Sequence, residues 1–151
     1  MKIAIDCDEA GLPLKPAIVE QLRALGVEAV DLNLLGQAPV DYPDIGHQLA
    51  RRVAAGEFER GILICGTGLG MAMVANKVKG IFAGTCHDTY SAERLRKSNN
   101  AQVLTLGARV VGPELAKSIV SAWVKAEFEG GRSLPKVERM RCLEQEDVPA
   151  T

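Results

Sequence analysis

The stretch Gly61-Ile62-Leu63-Ile64-Cys65-Gly66-Thr67-Gly68-Leu69-Gly70 decides the fold. Its apolar run, Ile62–Ile64, has the length and β-branched character of a buried strand. After Cys65 the chain is glycine and threonine except for Leu69, and a helical stretch, Met71–Lys77, follows. Strand, glycine-rich turn and helix point backbone N–H groups at one spot, because the first turn of a helix leaves its donors unpaired. A phosphate or a developing oxyanion would be stabilised there. The same field favours a thiolate at Cys65, which makes it a base or a nucleophile. Taken alone, the stretch also fits a small buried cysteine that closes a strand before a tight turn. It has neither the Gly-Lys-Ser/Thr ending of a Walker loop nor the Gly-x-Gly-x-x-Gly spacing of a dinucleotide site.

Outward from this centre the same alternation repeats. Lys2–Cys7 reads as a strand, and Asp8-Glu9-Ala10-Gly11 as a turn carrying two carboxylates. Leu14, Ile18, Leu22 and Leu25 recur at helical spacing until Gly26. Val27–Leu32 is a strand, Asn33–Pro43 a loop, and Asp44–Ala55 a helix. Downstream, Ile81–Cys86 and Val103–Leu106 are strands, and Ser91–Ser98 is a short charged helix. Gly112-Pro113 opens a helix with one apolar face, which Gly130-Gly131 breaks. Lys136–Gln145 is a last charged helix, and the tail to Thr151 is expected to fray. The expected fold is therefore α/β and doubly wound: a Rossmann-like, five-stranded parallel sheet with helices on both faces. One domain spans residues 1–151, with about 133–151 peripheral. Ligands in such sheets sit at the carboxyl ends of the strands. Those ends collect Asp8, Glu9, Cys65–Gly70, Cys86-His87-Asp88 and Arg109, a set suited to proton transfer on an anionic small molecule.

A net charge of −1 gives no reason to expect a nucleic-acid or anionic-membrane partner. No apolar run approaches the roughly 20 residues of a membrane helix. The four cysteines, Cys7, Cys65, Cys86 and Cys142, lack metal-ligand spacing, which argues against a zinc site and for a reducing cytoplasm.

Seven stretches carry a resemblance: Cys7-Asp8-x-Ala10-Gly11, Asp41-Tyr42-Pro43, Cys65-Gly-Thr-Gly-Leu-Gly, Ala75-Asn76-Lys77, Ser98-Asn99-Asn100-Ala101, Gly107-Ala108-Arg109-Val110 and Glu129-Gly130-Gly131-Arg132. In order and spacing they resemble the ribose-5-phosphate isomerase B and galactose-6-phosphate isomerase family. The resemblance implies a cofactor-free, metal-free aldose–ketose isomerase acting on a sugar phosphate. It implies Cys65 and Thr67 in catalysis, with Cys65 shuttling a proton through an enediolate. Gly66, Gly68, Leu69 and Gly70 would offer backbone N–H groups to the enediolate oxygens, and Asp8 and Tyr42 would line the sugar. It further implies a homodimer or a dimer of dimers with sites between subunits, where Asn99, Arg109 and Arg132 act on a partner's site.

Three departures bear on substrate. Glu9 stands where family members often carry a phosphate-binding histidine. Ser98 stands where the pentose enzymes carry the histidine that opens the furanose ring. Lys136 stands where arginine is usual, which keeps the charge and loses the bidentate fork. A pentose 5-phosphate closes its ring through the 4-hydroxyl, whereas a tetrose 4-phosphate has that oxygen blocked and stays open. The run His87–Glu93 and Ser98–Gln102 are similar to the tetrose-phosphate branch of the family. The competing expectation is that His87 takes over ring opening. The alternative to an enzyme is a regulatory homologue that binds a sugar phosphate without turning it over.

Overall fold

The computed structural model describes residues 1–146; the tail expected to fray lies outside them. Five strands, β1 (Lys2–Cys7), β2 (Glu28–Asp31), β3 (Arg60–Cys65), β4 (Ala83–Thr85) and β5 (Val103–Gly107), form one all-parallel sheet in the order β2-β1-β3-β5-β4. The central strand β3 is buried along its whole length. Its register sets Cys7 beside Ile64 and Cys65 beside Gly107, so both cysteines end their strands at the same edge.

Six helices cover the sheet: α1 (Lys15–Ala24), α2 (Tyr42–Ala54), α3 (Leu69–Ala75), α4 (Thr89–Lys97), α5 (Pro113–Lys125) and α6 (Leu134–Glu146). On one face Ile18 and Leu22 of α1, Ala92 of α4 and Ile119 and Trp123 of α5 pack with Ile3, Ile5, Ile62 and Leu104. On the other, Ile45, Leu49 and Val53 of α2 and Met71 and Ala75 of α3 pack with Ala4 and Leu63. The helix after β1 and the helix after β3 thus lie on opposite faces. Such a switch opens a crevice at the carboxyl ends of the two strands. Helix α6 is peripheral: Val137 is its one buried residue.

The expected architecture holds, with local differences. Tyr42 and Pro43 begin α2 instead of ending the preceding loop, because proline in the first helical turn gives up a donor that has no partner there anyway. A 3-10 turn, Leu34–Gly36, interrupts that loop. Helix α3 starts two residues earlier than expected, inside the glycine stretch, with Gly68 as its cap. Strand β4 is only Ala83–Thr85, as befits an outermost strand with one paired edge.

Cys7 and Cys86 belong to the core on the α1/α5 face of the sheet. Burial pushes the Cys7 thiol up to about 12 and the Cys86 thiol up to about 11 from 9.0. Below pH 9 these thiols are neutral in both the folded and unfolded chain. Above it, the unfolded chain sheds protons that the folded chain keeps, so stability falls as pH rises from 9 toward 12. The slope is up to about 1.4 kcal/mol per thiol per pH unit. Thermal melts between pH 8 and 11 should show this decline, and the Cys7→Ala variant should flatten it.

Candidate active site

A cavity of about 410 Å³ opens at the β1/β3 crevice, lined by Asp8, Glu9, Ala10, Tyr42, Cys65, Gly66, Thr67, Gly70 and Arg109. Each wall follows from the local fold. Asp8 caps the turn after β1, its Oδ1 accepting the Gly11 N–H at 3.1 Å. Cys65 ends β3 and is 6% exposed. Its Sγ accepts the Gly68 N–H at 3.1 Å, so a backbone donor of the glycine stretch does point at the sulfur. The Thr67 Oγ1 accepts the Leu69 N–H at 3.3 Å. Tyr42 lies over Gly70, where a Cβ would stand 2.7 Å from the ring; only glycine lets the aromatic wall come this close.

The loop is pinned from β5. The Ala108 N–H donates to Cys65 O at 2.8 Å and the Arg109 N–H to Gly66 O at 3.0 Å. Arg109 therefore lines the cavity of its own chain, at the strand end where the sequence reading placed it. The resemblance had assigned it to a partner's site. Its guanidinium is the cation among the cavity's lining residues, which also include the carboxylates of Asp8 and Glu9. Glu9 also borders a neighbouring depression with Asp41 and Asp44, so this side of the rim is acidic.

The remaining expected residues do not come to this cavity. Leu69 is exposed on the first turn of α3. His87 follows β4, the outermost strand, which β5 separates from β3. Its Nε2 is buried without a hydrogen-bond partner among the described residues. Ser98 and Asn99 follow α4 and lead toward the start of β5, and Arg132 lies beyond the end of α5. In a parallel α/β sheet, both places are at the edge opposite the carboxyl ends of the strands. Lys136 lies further on, in peripheral α6. The Ser98 Oγ is held by Arg94, at 2.9 Å from Nε and 2.6 Å from Nη2. Arg94 also faces Glu129 at 3.6 Å, and the Glu129 N–H donates to Lys97 O at 3.2 Å. The segment that carries Arg132 is thereby tied to the end of α4.

A profile of the ribose/galactose isomerase family matches residues 3–140. The chain belongs to that family. It is 53% identical over 149 residues to a D-erythrulose-4-phosphate isomerase of Pectobacterium atrosepticum, covering 97% of each chain. It is 48% identical over 144 residues to ribose-5-phosphate isomerase B of Escherichia coli, covering 95% of this chain and 97% of that one. Among solved structures, the ribose-5-phosphate isomerase B of Clostridium thermocellum superposes with a TM-score of 0.92 at 46% identity, covering 98% of this chain and all of the other. As a ribose/galactose isomerase the chain is an enzyme, and the crevice between β1 and β3 is its candidate active site.

Two threonines at this site escaped the sequence reading. Thr105 in β5 is fully buried, and its Oγ1 donates to Gly68 O at 2.8 Å. Thr85 at the end of β4 reaches the same carbonyl at 3.1 Å, and the two hydroxyl oxygens are 2.7 Å apart. A hydroxyl in the middle of Val103–Leu106, an otherwise apolar strand, was the available signal.

No described helix is long and apolar enough to cross a membrane. No described cluster of His, Cys, Asp and Glu is placed to hold a metal ion.

Proposed function

We propose that the protein interconverts a tetrose 4-phosphate aldose and its ketose, erythrose and erythrulose 4-phosphate, with Cys65 as the base. The thiolate removes the C2 proton of the aldose, and the electron pair moves into the C1 carbonyl to give an enediolate. Return of the proton to C1, with transfer of the hydroxyl proton from O2 to O1, completes the ketose. The Thr67 hydroxyl, on the cavity wall, serves the oxygen-to-oxygen transfer. The observation that carries this reading is the sulfur of Cys65 on the cavity wall, with a backbone N–H aimed at it. A proton next to a carbonyl is weakly acidic, so stabilising the enediolate oxygens is the larger part of the task.

The choice of a four-carbon substrate rests on Ser98. Its hydroxyl oxygen accepts from two Arg94 donors, and an alcohol is far too weak an acid to stand in for a ring-opening histidine. A tetrose 4-phosphate needs none. The Pectobacterium relative, named for erythrulose 4-phosphate, supports the same choice.

We further infer a homodimer in which each cavity is completed by the opposite edge of a second copy. Asn99, Arg132 and Lys136 lie far from their own chain's cavity, and only another chain can bring their amide and cations to a bound phosphate. Leu69, Met73 and Val110, exposed near the crevice, offer apolar surface for that contact.

The test is turnover of erythrose 4-phosphate and ribose 5-phosphate side by side in deuterium oxide. Faster turnover of the tetrose, with solvent deuterium entering the product at the isomerised carbons, is the expected outcome. A clear preference for the pentose would remove the tetrose assignment. Binding without deuterium uptake would leave only a sugar-phosphate binder.

A further inference from the structure

The geometry points to Thr105, assisted by Thr85, as the positioning residue that holds the Gly68 peptide so that its N–H stays on the Cys65 sulfur. This inference rests on the reading of Cys65 as the base. The Gly68 carbonyl accepts the Ala72 N–H at 3.1 Å as the first bond of α3, and two hydroxyls lie within reach of it, Thr105 at 2.8 Å and Thr85 at 3.1 Å. Each hydroxyl has one proton to give. The two shortest distances set the order: Thr85 donates to Thr105 across 2.7 Å, and Thr105 donates to the carbonyl. Both protons are then used, and the chain of donors polarises toward Gly68.

The carbonyl and the N–H of Gly68 belong to the two peptide planes joined at its Cα. Gly68 has a φ of +80°, in the left-handed region that glycine enters freely, so side-chain sterics do not hold its backbone and its hydrogen bonds must. Fixing the carbonyl fixes one plane. The bonds from Ala108 and Arg109 to the carbonyls of Cys65 and Gly66 hold the loop before it. Between these clamps the Gly68 N–H keeps its 3.1 Å contact with Sγ. Without the hydroxyls, the first helical bond from Ala72 would hold that carbonyl alone, at the fraying end of a two-turn helix. The donor would then sample positions away from the sulfur. A misplacement of about 1 Å at a reacting group costs on the order of 100-fold in rate.

The test uses the full chain in a Cys142→Ser background, which removes the exposed competing thiol. Steady-state turnover of erythrose 4-phosphate and ribose 5-phosphate is measured for Thr105→Val, Thr105→Ser and Thr85→Val, beside the alkylation rate of Cys65 by iodoacetamide at one fixed pH. Thr105→Val should lower kcat by about 10- to 100-fold with KM within about twofold, and slow alkylation in parallel. Thr105→Ser, which restores the hydroxyl, should bring both back near the parent values. Thr85→Val should lose only severalfold, since Thr105 still holds the carbonyl, and it carries the test if Thr105→Val does not fold. Parent-like kcat in Thr105→Val, an unchanged alkylation rate, or failure of serine to rescue would each overturn the assignment. Retained turnover in Cys65→Ala would instead sink the reading of Cys65 as the base, while the alkylation series would still judge the threonine clamp.

Discussion

Turnover by the Cys65→Ala variant is expected to fall by about 10²–10⁴-fold, the contribution of a positioned general base. KM for the sugar phosphate should change little, because the phosphate and hydroxyl contacts belong to other residues. The rival bases in the cavity are Asp8 and Glu9, and Asp8 has a structural task of its own. Its Oδ1 is already committed to the Gly11 N–H at 3.1 Å, closing the turn after β1. Asp8→Asn keeps an acceptor for that cap and should lose far less turnover than Cys65→Ala. Cys7 and Cys86 make no competing claim, since burial raises both thiols well above the ordinary range. Deuterium uptake from solvent is the sensitive measurement, as it detects proton abstraction even where net conversion is slow. A Cys65→Ala protein that exchanges its substrate proton within tenfold of the parent would end the cysteine mechanism.

What could be read in the sequence divides along physical lines. The sheet and its alternation with helices were legible because each central strand is a short apolar run bounded by turn residues, and β1 matches its expected span residue for residue. The boundaries around the site were harder. Tyr42-Pro43 looked like a loop ending, and only the orphan-donor rule for the first helical turn explains why it begins α2. Arg60 was also passed over. A charged residue before Ile62 reads as a strand flank. In the fold it is buried, donating to the carbonyls of Trp123, Val124 and Ala126 at the end of α5. Spacing along a chain cannot show such a contact.

The candidate site was legible where strand ends carry it: Asp8, Cys65–Thr67 and Arg109 all stand at the crevice. Threonines 85 and 105 were not, because their role depends on two strands converging on one carbonyl. His87 is not among the residues lining the crevice, for a related reason. It follows a strand end, but that strand is the outermost one of the sheet, and strand order is a property of the fold.

The second large effect expected is in Gly68→Ala. Gly68 and Gly26 have nearly the same φ, +80° and +74°. An alanine at either place bears the left-handed strain of about 1–2 kcal/mol. Around Gly26 nothing lies within 4 Å of the added Cβ. At Gly68 the Cβ would meet the Leu106 carbonyl carbon and the Thr85 Cγ2, both at 3.0 Å. The first is backbone of a central strand and cannot yield, so the loop must move, and with it the N–H that points at Cys65. Gly26→Ala should therefore lose about 1–2 kcal/mol of stability and keep its turnover. Gly68→Ala should lose more stability, and on the order of 100-fold in kcat besides, the cost of removing or misplacing one such donor. Chemical denaturation and steady-state kinetics on the pair separate backbone strain from loss of the donor. Equal turnover in the two variants would mean that the Gly68 contact with sulfur does not matter for the reaction.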